Sequence, residues 1–215
     1  MMIKAFNINE KNYYIGLSQF KINLDFKFEQ FFNIFEKIQH KYNKLVLQFF
    51  NDRYVLNSEH IFNACYYLEK VFLNNQNISN KKNIEFLLYL AANRQIKIAL
   101  EDFGINSEIF KKGFINLCVI SSESSFQSLN LEFERIFNIN RIDFVLDNYS
   151  QKKYEEIKLY FDFPDKQIET VLASYHKKID LKEIQDSDLP NLYLALNDLI
   201  CEKMALLSLE KVSLD

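Results

Sequence analysis

The period of the apolar residues switches back and forth within the first fifty positions, and this alternation limits the possible folds more than any other feature. Residues 3–8 and 13–21 (YYIGLSQFK) are short, β-branched and aromatic, and Asn9–Asn12 part them. They read as two strands. Leu24–Tyr42 then sets Phe28, Phe31, Phe32, Phe35 and Ile38 at helical spacing, which predicts a helix with a thick apolar stripe. Lys44–Phe50 (KLVLQFF) returns to strand character and is closed by Asn51 and Asp52. Short strands interrupted by amphipathic helices point to a sheet that helices cover.

The same reading extends along the chain. Ser58 is expected to cap a helix whose face is traced by Ile61, Ala64, Cys65, Leu68, Val71 and Phe72. The polar segment Asn74–Asn83 reads as a loop, followed by a helix over Ile84–Ala92 and another from about Gln95 to Phe103. Gly104 sits where a helix ends on a residue with positive φ. Phe114–Ile120 (FINLCVI) is a continuous apolar strand, Ser124–Phe137 a helix, and Arg141–Leu146 either a last strand or an extended link. Helices are expected over about 151–161, 166–179 and 190–212, with Pro164 and Pro190 at helix starts, where a missing N–H costs nothing. The predicted fold class is α+β. A small, mostly antiparallel sheet is flanked by helices in one domain over 1–215, with the helical segment 151–215 packed on it.

Several function classes lack their residues. Only Gly16, Gly104 and Gly113 are present, too few for a Gly-rich phosphate loop or a dinucleotide fingerprint. His40, His60 and His176 stand apart with no ligand spacing, so no metal site and no catalytic residue is expected, and no cofactor. Cys65, Cys118 and Cys201 are far apart in apolar text and read as buried thiols in a reducing compartment. No run of about 18 apolar residues occurs, so no membrane span is expected, and the chain reads as cytoplasmic. Charge is uneven: residues 1–112 carry 15 Lys and Arg against 11 Asp and Glu, and residues 113–215 carry 11 against 18.

One stretch departs from its surroundings. Leu87–Gly104 is apolar at helical spacing except for Asn93-Arg94-Gln95 at its centre. Asn93 is expected to cap the second helix, with Arg94 in its first turn, exposed, and Ala91 and Ala92 leaving room for a ligand near the backbone. Free N–H groups at a helix start and a guanidinium suit a phosphate or carboxylate.

Ala91-Ala92-Asn93-Arg94-Gln95-Ile96, followed by Ala99-Leu100 and Phe103-Gly104-Ile105, resembles the signature of the small KEOPS subunit that binds that complex's kinase, the TPRKB (PRPK-binding protein) family. Gln48–Asn51 with Ser58-x-His60 and Ala64, the FINLCVI strand, and Cys201–Leu207 are similar to the family's other elements. The resemblance implies a non-catalytic accessory subunit of the machinery that makes threonylcarbamoyladenosine in tRNA. It implies direct contact with the small atypical kinase/ATPase subunit and indirect contact with the threonylcarbamoyltransferase and dimerisation subunits. It also implies that the tRNA 3′ CCA end is held by Ala92, Asn93, Arg94, Gln95 and Ile96. An adaptor that binds the kinase without RNA is the competing expectation. This chain departs from the pattern at Ala92, where the family carries Gly, at Arg53 in the turn after KLVLQFF, and in an extra stretch around Lys177–Pro190.

Overall fold

The computed structural model describes residues 1–22, 27–123, 127–137, 140–142 and 145–209. Strands β1 (Met2–Ile8) and β2 (Lys11–Lys21) form a hairpin in which Ile8 pairs with Lys11. The two turn residues, Asn9 at φ 48° and Glu10 at φ 65°, both take the left-handed conformation. That geometry matches the twist of tight hairpins. Helix α1 (Phe28–Lys41) leads to β3 (Val46–Phe50), and β4 (Phe114–Ser121) inserts between β2 and β3. The strand order is β1-β2-β4-β3, and β5 (Asn140–Ile142) pairs with β2 beyond the end of β1. Every pairing is antiparallel, as the α+β reading requires.

Both faces of this sheet are covered, which explains why FINLCVI is apolar on both faces except at Asn116 rather than alternating. Ile115, Leu117 and Val119 pack with Phe31, Phe35 and Ile38 of α1 and with Leu129, Phe133 and Phe137 of α6 (Gln127–Phe137). Cys118 and Ile120 face the larger core. That core is built on α2 (Ser58–Leu73), α3 (Lys82–Leu90), α4 (Ile96–Phe103), α7 (Gln151–Tyr160), α8 (Asp165–Ser174) and α9 (Leu189–Leu209). A single turn, α5 (Ser107–Phe110), leads into β4. The segment 175–188 ends in a short 3-10 turn, and its Ile179, Leu181 and Ile184 pack against the larger core. Residues 24–26, 124–126, 143–144 and 210–212, at the margins of elements expected from sequence, lie outside the described residues.

Three local expectations are corrected. Asn57, not Ser58, caps α2, because its side chain accepts from the His60 N–H at 3.0 Å. Ser58 begins the helix and binds Asp147 through its own N–H (2.7 Å) and Oγ (3.0 Å), a long-range partner that local spacing does not reveal. Gly104 has φ −73°, so its role is spatial: a Cβ there would lie 2.3 Å from the Leu100 carbonyl oxygen. Helix α8 stops at Ser174, and His176, at φ 56°, turns the chain away.

Cys65 and Cys118 are the buried thiols expected from sequence, and only Cys201 departs, being half-buried. The fold brings Cys65 of α2 and Cys118 of β4 to an Sγ–Sγ distance of 3.5 Å as buried free thiols, and burial pushes the Cys65 thiol up. Cys201 is half-buried, and its sulfur accepts from Asn63 Nδ2 at 2.9 Å.

Candidate functional site

The corner between α3 and α4 begins with a helix stop. Ala92 N–H donates to Tyr89 O and Asn93 N–H to Leu88 O, both at 3.0 Å. This is the paired bonding of a Schellman stop, in which the residue after the cap takes positive φ. Ala92 is that residue, at φ 44°. An L-residue there meets its own Cβ sterically, whereas glycine does not. The departure at Ala92 is therefore first a matter of backbone strain, and only then of room for a ligand.

Asn93 does not cap α4. Its Oδ1 accepts from Gln95 N–H at 2.9 Å, closing a turn ahead of the helix. Gln95 occupies the cap position without a side-chain bond to the helix, and α4 starts at Ile96. Arg94 thus precedes the helix instead of lying in its first turn. The Asn93 side-chain acceptor is engaged by Gln95 N–H ahead of the helix, and the helix starts two residues later than expected.

Arg94 is half-buried, not exposed as expected. Its Nη1 donates to the carbonyl of Leu207 at 3.1 Å, in the last turn of α9. Carbonyls there lack helical partners and carry the negative end of the helix dipole, so a cation is favoured. Tyr89, behind the arginine, is buried and stacks on Tyr67 with ring centres 5.8 Å apart. Burial raises the Tyr89 hydroxyl well above its ordinary range, an effect that Arg94 opposes. Gln95 is exposed, and Ile96 is 43% exposed.

His60, one helix away, fixes the same corner from below. Its Nε2 lies 3.0 Å from Leu90 O, and its Nδ1 accepts from Leu56 N–H at 3.1 Å. A carbonyl can only accept, so the ring is the neutral tautomer with hydrogen on Nε2. Full burial lowers its pKa to about 3, with Lys153 adding to the effect and the Leu90 carbonyl opposing it. The three sequence-distant pieces of the resemblance therefore converge. His60 reaches the end of α3, residues 92–96 form the corner, and Leu207 of the closing helix binds Arg94. Sequence spacing carried no signal for either contact.

Apolar surface surrounds this corner. Ile96 and Leu100 lie one turn apart on the outer side of α4, the latter 44% exposed. Leu206 and Leu209, beside the Arg94 contact, are 50% and 60% exposed. Among the described residues, no group of three or more His, Cys, Asp or Glu side chains is gathered as metal ligands.

Residues 30–208, which contain the corner, His60 and the last turns of α9, match the family described as kinase binding protein CGI-121. No curated protein matches the chain.

Proposed function

The chain belongs to the CGI-121 family of kinase-binding proteins, and from that premise we propose that it is a non-catalytic accessory subunit of the KEOPS tRNA-modification complex. It binds the small atypical kinase/ATPase subunit directly and meets the threonylcarbamoyltransferase and dimerisation subunits through it. Residues 92–96 take the 3′ CCA end of tRNA. The observation that carries the reading is the family match across the whole corner, from His60 to Leu207.

The chemistry of the corner supports the RNA contact. The Arg94 guanidinium has several donors, so its bond to Leu207 is compatible with a phosphate contact. The exposed Gln95 amide offers both a donor and an acceptor to a base edge, and Ile96 offers an apolar surface for an unstacked base. No side chain caps α4, and helix-start N–H groups suit an anion.

A second reading, a kinase-binding adaptor without RNA, is favoured by one observation. Arg94 already serves the fold as the partner of the Leu207 carbonyl. Binding of intact and CCA-trimmed tRNA at one salt concentration separates the two. Under the RNA reading, Arg94→Glu weakens intact tRNA about ten- to a hundredfold, the cost of a charge-assisted hydrogen bond. Arg94→Lys recovers part of the loss, because it restores charge without the planar fork. If folded Arg94→Glu binds tRNA as well as the unaltered chain, the arginine is structural and the adaptor reading stands.

A further inference from the structure

The sheet ends in two outer strands, and the fold treats their free edges differently. At β3 the pairing with β4 leaves Leu47 and Phe49 facing outward, and both outward carbonyls are taken. Gln39 Nε2 donates to Leu47 O at 2.9 Å and Gln48 Nε2 to Phe49 O at 2.6 Å. Asn51 N–H, next along the same edge, donates to Phe103 O at 2.9 Å. Unpaired backbone groups on an edge template a further strand, and these bonds leave little for one to pair with.

Strand β1 has no such cover. Its seven residues pair with β2 without a bulge, and the two-residue turn makes Ile8 and Lys11 a hydrogen-bonded pair. Bonded and non-bonded pairs alternate in an antiparallel ladder, so Met2, Lys4, Phe6 and Ile8 bond β2. The backbone N–H and C=O groups of Ile3, Ala5 and Asn7 point away from it. Among the described residues, no hydrogen bond reaches those outward groups.

The side chains do not guard this edge either. Natural edges are blunted by proline, by a bulge, or by a lysine standing out over the strand. The sequence MIKAFNI has no proline, and its one charge, Lys4, turns to α2. There it pairs with Glu59 at 2.5 Å and lies 4.8 Å from the centre of the Phe62 ring. Met2 and Phe6 pack on the larger core on that same side. On the opposite face Ile3 is 54% exposed, and Ala5 and Asn7 are exposed beside it. β1 thus offers an unpaired backbone and an uncovered row of side chains together. It also lies outside residues 30–208, so the family match does not account for it.

We propose that β1 is an interface between two copies of this chain, which pair their β1 strands antiparallel and so join the two sheets into one. Two-fold symmetry makes such a contact self-complementary. Centred on Ala5, the pairing uses all seven residues. Met2 faces Ile8 of the other copy, Ile3 faces Asn7, Lys4 faces Phe6, and Ala5 faces Ala5. The outward groups of Ile3, Ala5 and Asn7 then bond one another, and Lys4 meets an aromatic ring instead of a cation. Sliding the strands by two residues either way shortens the ladder, and one of those slides sets Lys4 against Lys4. Charge and length therefore select the same register. Seven residues extend about 23 Å, and a strip one strand wide covers less than the roughly 800 Å² per partner of a stable complex. The dimer is accordingly weak and concentration-dependent, and it is independent of the proposed kinase and RNA contacts.

The test is sedimentation equilibrium of the full chain from low micromolar to millimolar concentration, with amide exchange followed by NMR over the same range. The expected result is a shift from monomer to dimer. Exchange at Ile3, Ala5 and Asn7 should slow on concentration, whereas Lys4 and Phe6, already bonded to β2, should hardly change. Ala5→Pro removes an outward N–H where an edge strand tolerates proline, and should leave a folded monomer. Ala5→Lys and Ala5→Glu, at an exposed position, should each be monomeric, because Ala5 faces its own copy. Mixed in equal amounts, these two variants should associate roughly tenfold more tightly than either alone, the swing from a like to an unlike cross-strand pair. Misfolding cannot imitate that recovery, so it decides the matter even if Ala5→Pro fails to fold. The inference is overturned if the chain stays monomeric at millimolar concentration, if association leaves the Ile3, Ala5 and Asn7 amides unchanged, or if the two charged variants associate no better together than apart.

Discussion

Acid should weaken this protein through His60. The ring is fully buried, neutral, and bonded on both nitrogens, to Leu56 N–H and to Leu90 O. Its folded pKa, about 3, lies below the unfolded value of about 6.5. The unfolded chain therefore binds the extra proton between those two values, and stability falls as pH drops through that window. At pH 5 an unfolded histidine is almost wholly protonated and the folded one is not, which costs about 2 kcal/mol relative to pH 7.5. Any folded pKa below about 4 returns nearly the same figure, so the expectation rests on the direction of the shift and on the unfolded value. Protonated Nδ1 would also point a donor at the Leu56 N–H.

The assay is urea unfolding at pH 7.5, 6 and 5 for the unaltered chain and for His60→Gln. The variant should be less stable at pH 7.5, because two buried groups lose their partner. Its decline from pH 7.5 to 5 should be shallower by about 2 kcal/mol. Parallel declines would refute the reasoning and mean that the native fold accommodates a charged ring.

Two further changes address the corner. Ala92→Gly should stabilise the chain by about 0.5–1 kcal/mol, because relief of the left-handed conformation outweighs the added freedom of the unfolded chain. Calorimetry should show a melting rise of about 1–4 °C, and a fall would mean that the Ala92 methyl contact with the core matters more. Leu100→Asp combined with Leu206→Asp should abolish co-elution with the small kinase in size exclusion while moving the melting temperature little, since both side chains are about half exposed. Retained co-elution would place the kinase on another face.

The elements themselves were legible where one periodicity dominated. The Phe28–Ile38 stripe, the YYIGLSQFK and FINLCVI strands and the closing helix are all present. In each, the buried face repeats along a single element, so local text contains the whole pattern. Caps were misplaced by one or two residues, and the stop of α8 by five. At Ser58 a distant carboxylate, Asp147, uses the hydroxyl that local rules assign to capping. At Gly104 the constraint is a carbonyl in the way, not a positive φ.

The Arg94 segment was conspicuous in the sequence because polar residues interrupt two apolar stripes, and the family it resembles is the one its sequence matches. Sequence alone therefore determined the fold class, the family and the position of the corner, since each is written in local patterns of residue type. Tertiary structure alone decided that Arg94 binds Leu207, that His60 holds Leu90, that Cys65 meets Cys118, and that Asn116 donates to Phe50 O. Those partners lie far apart in the chain, and only closure of the sheet and helices brings them within bonding distance.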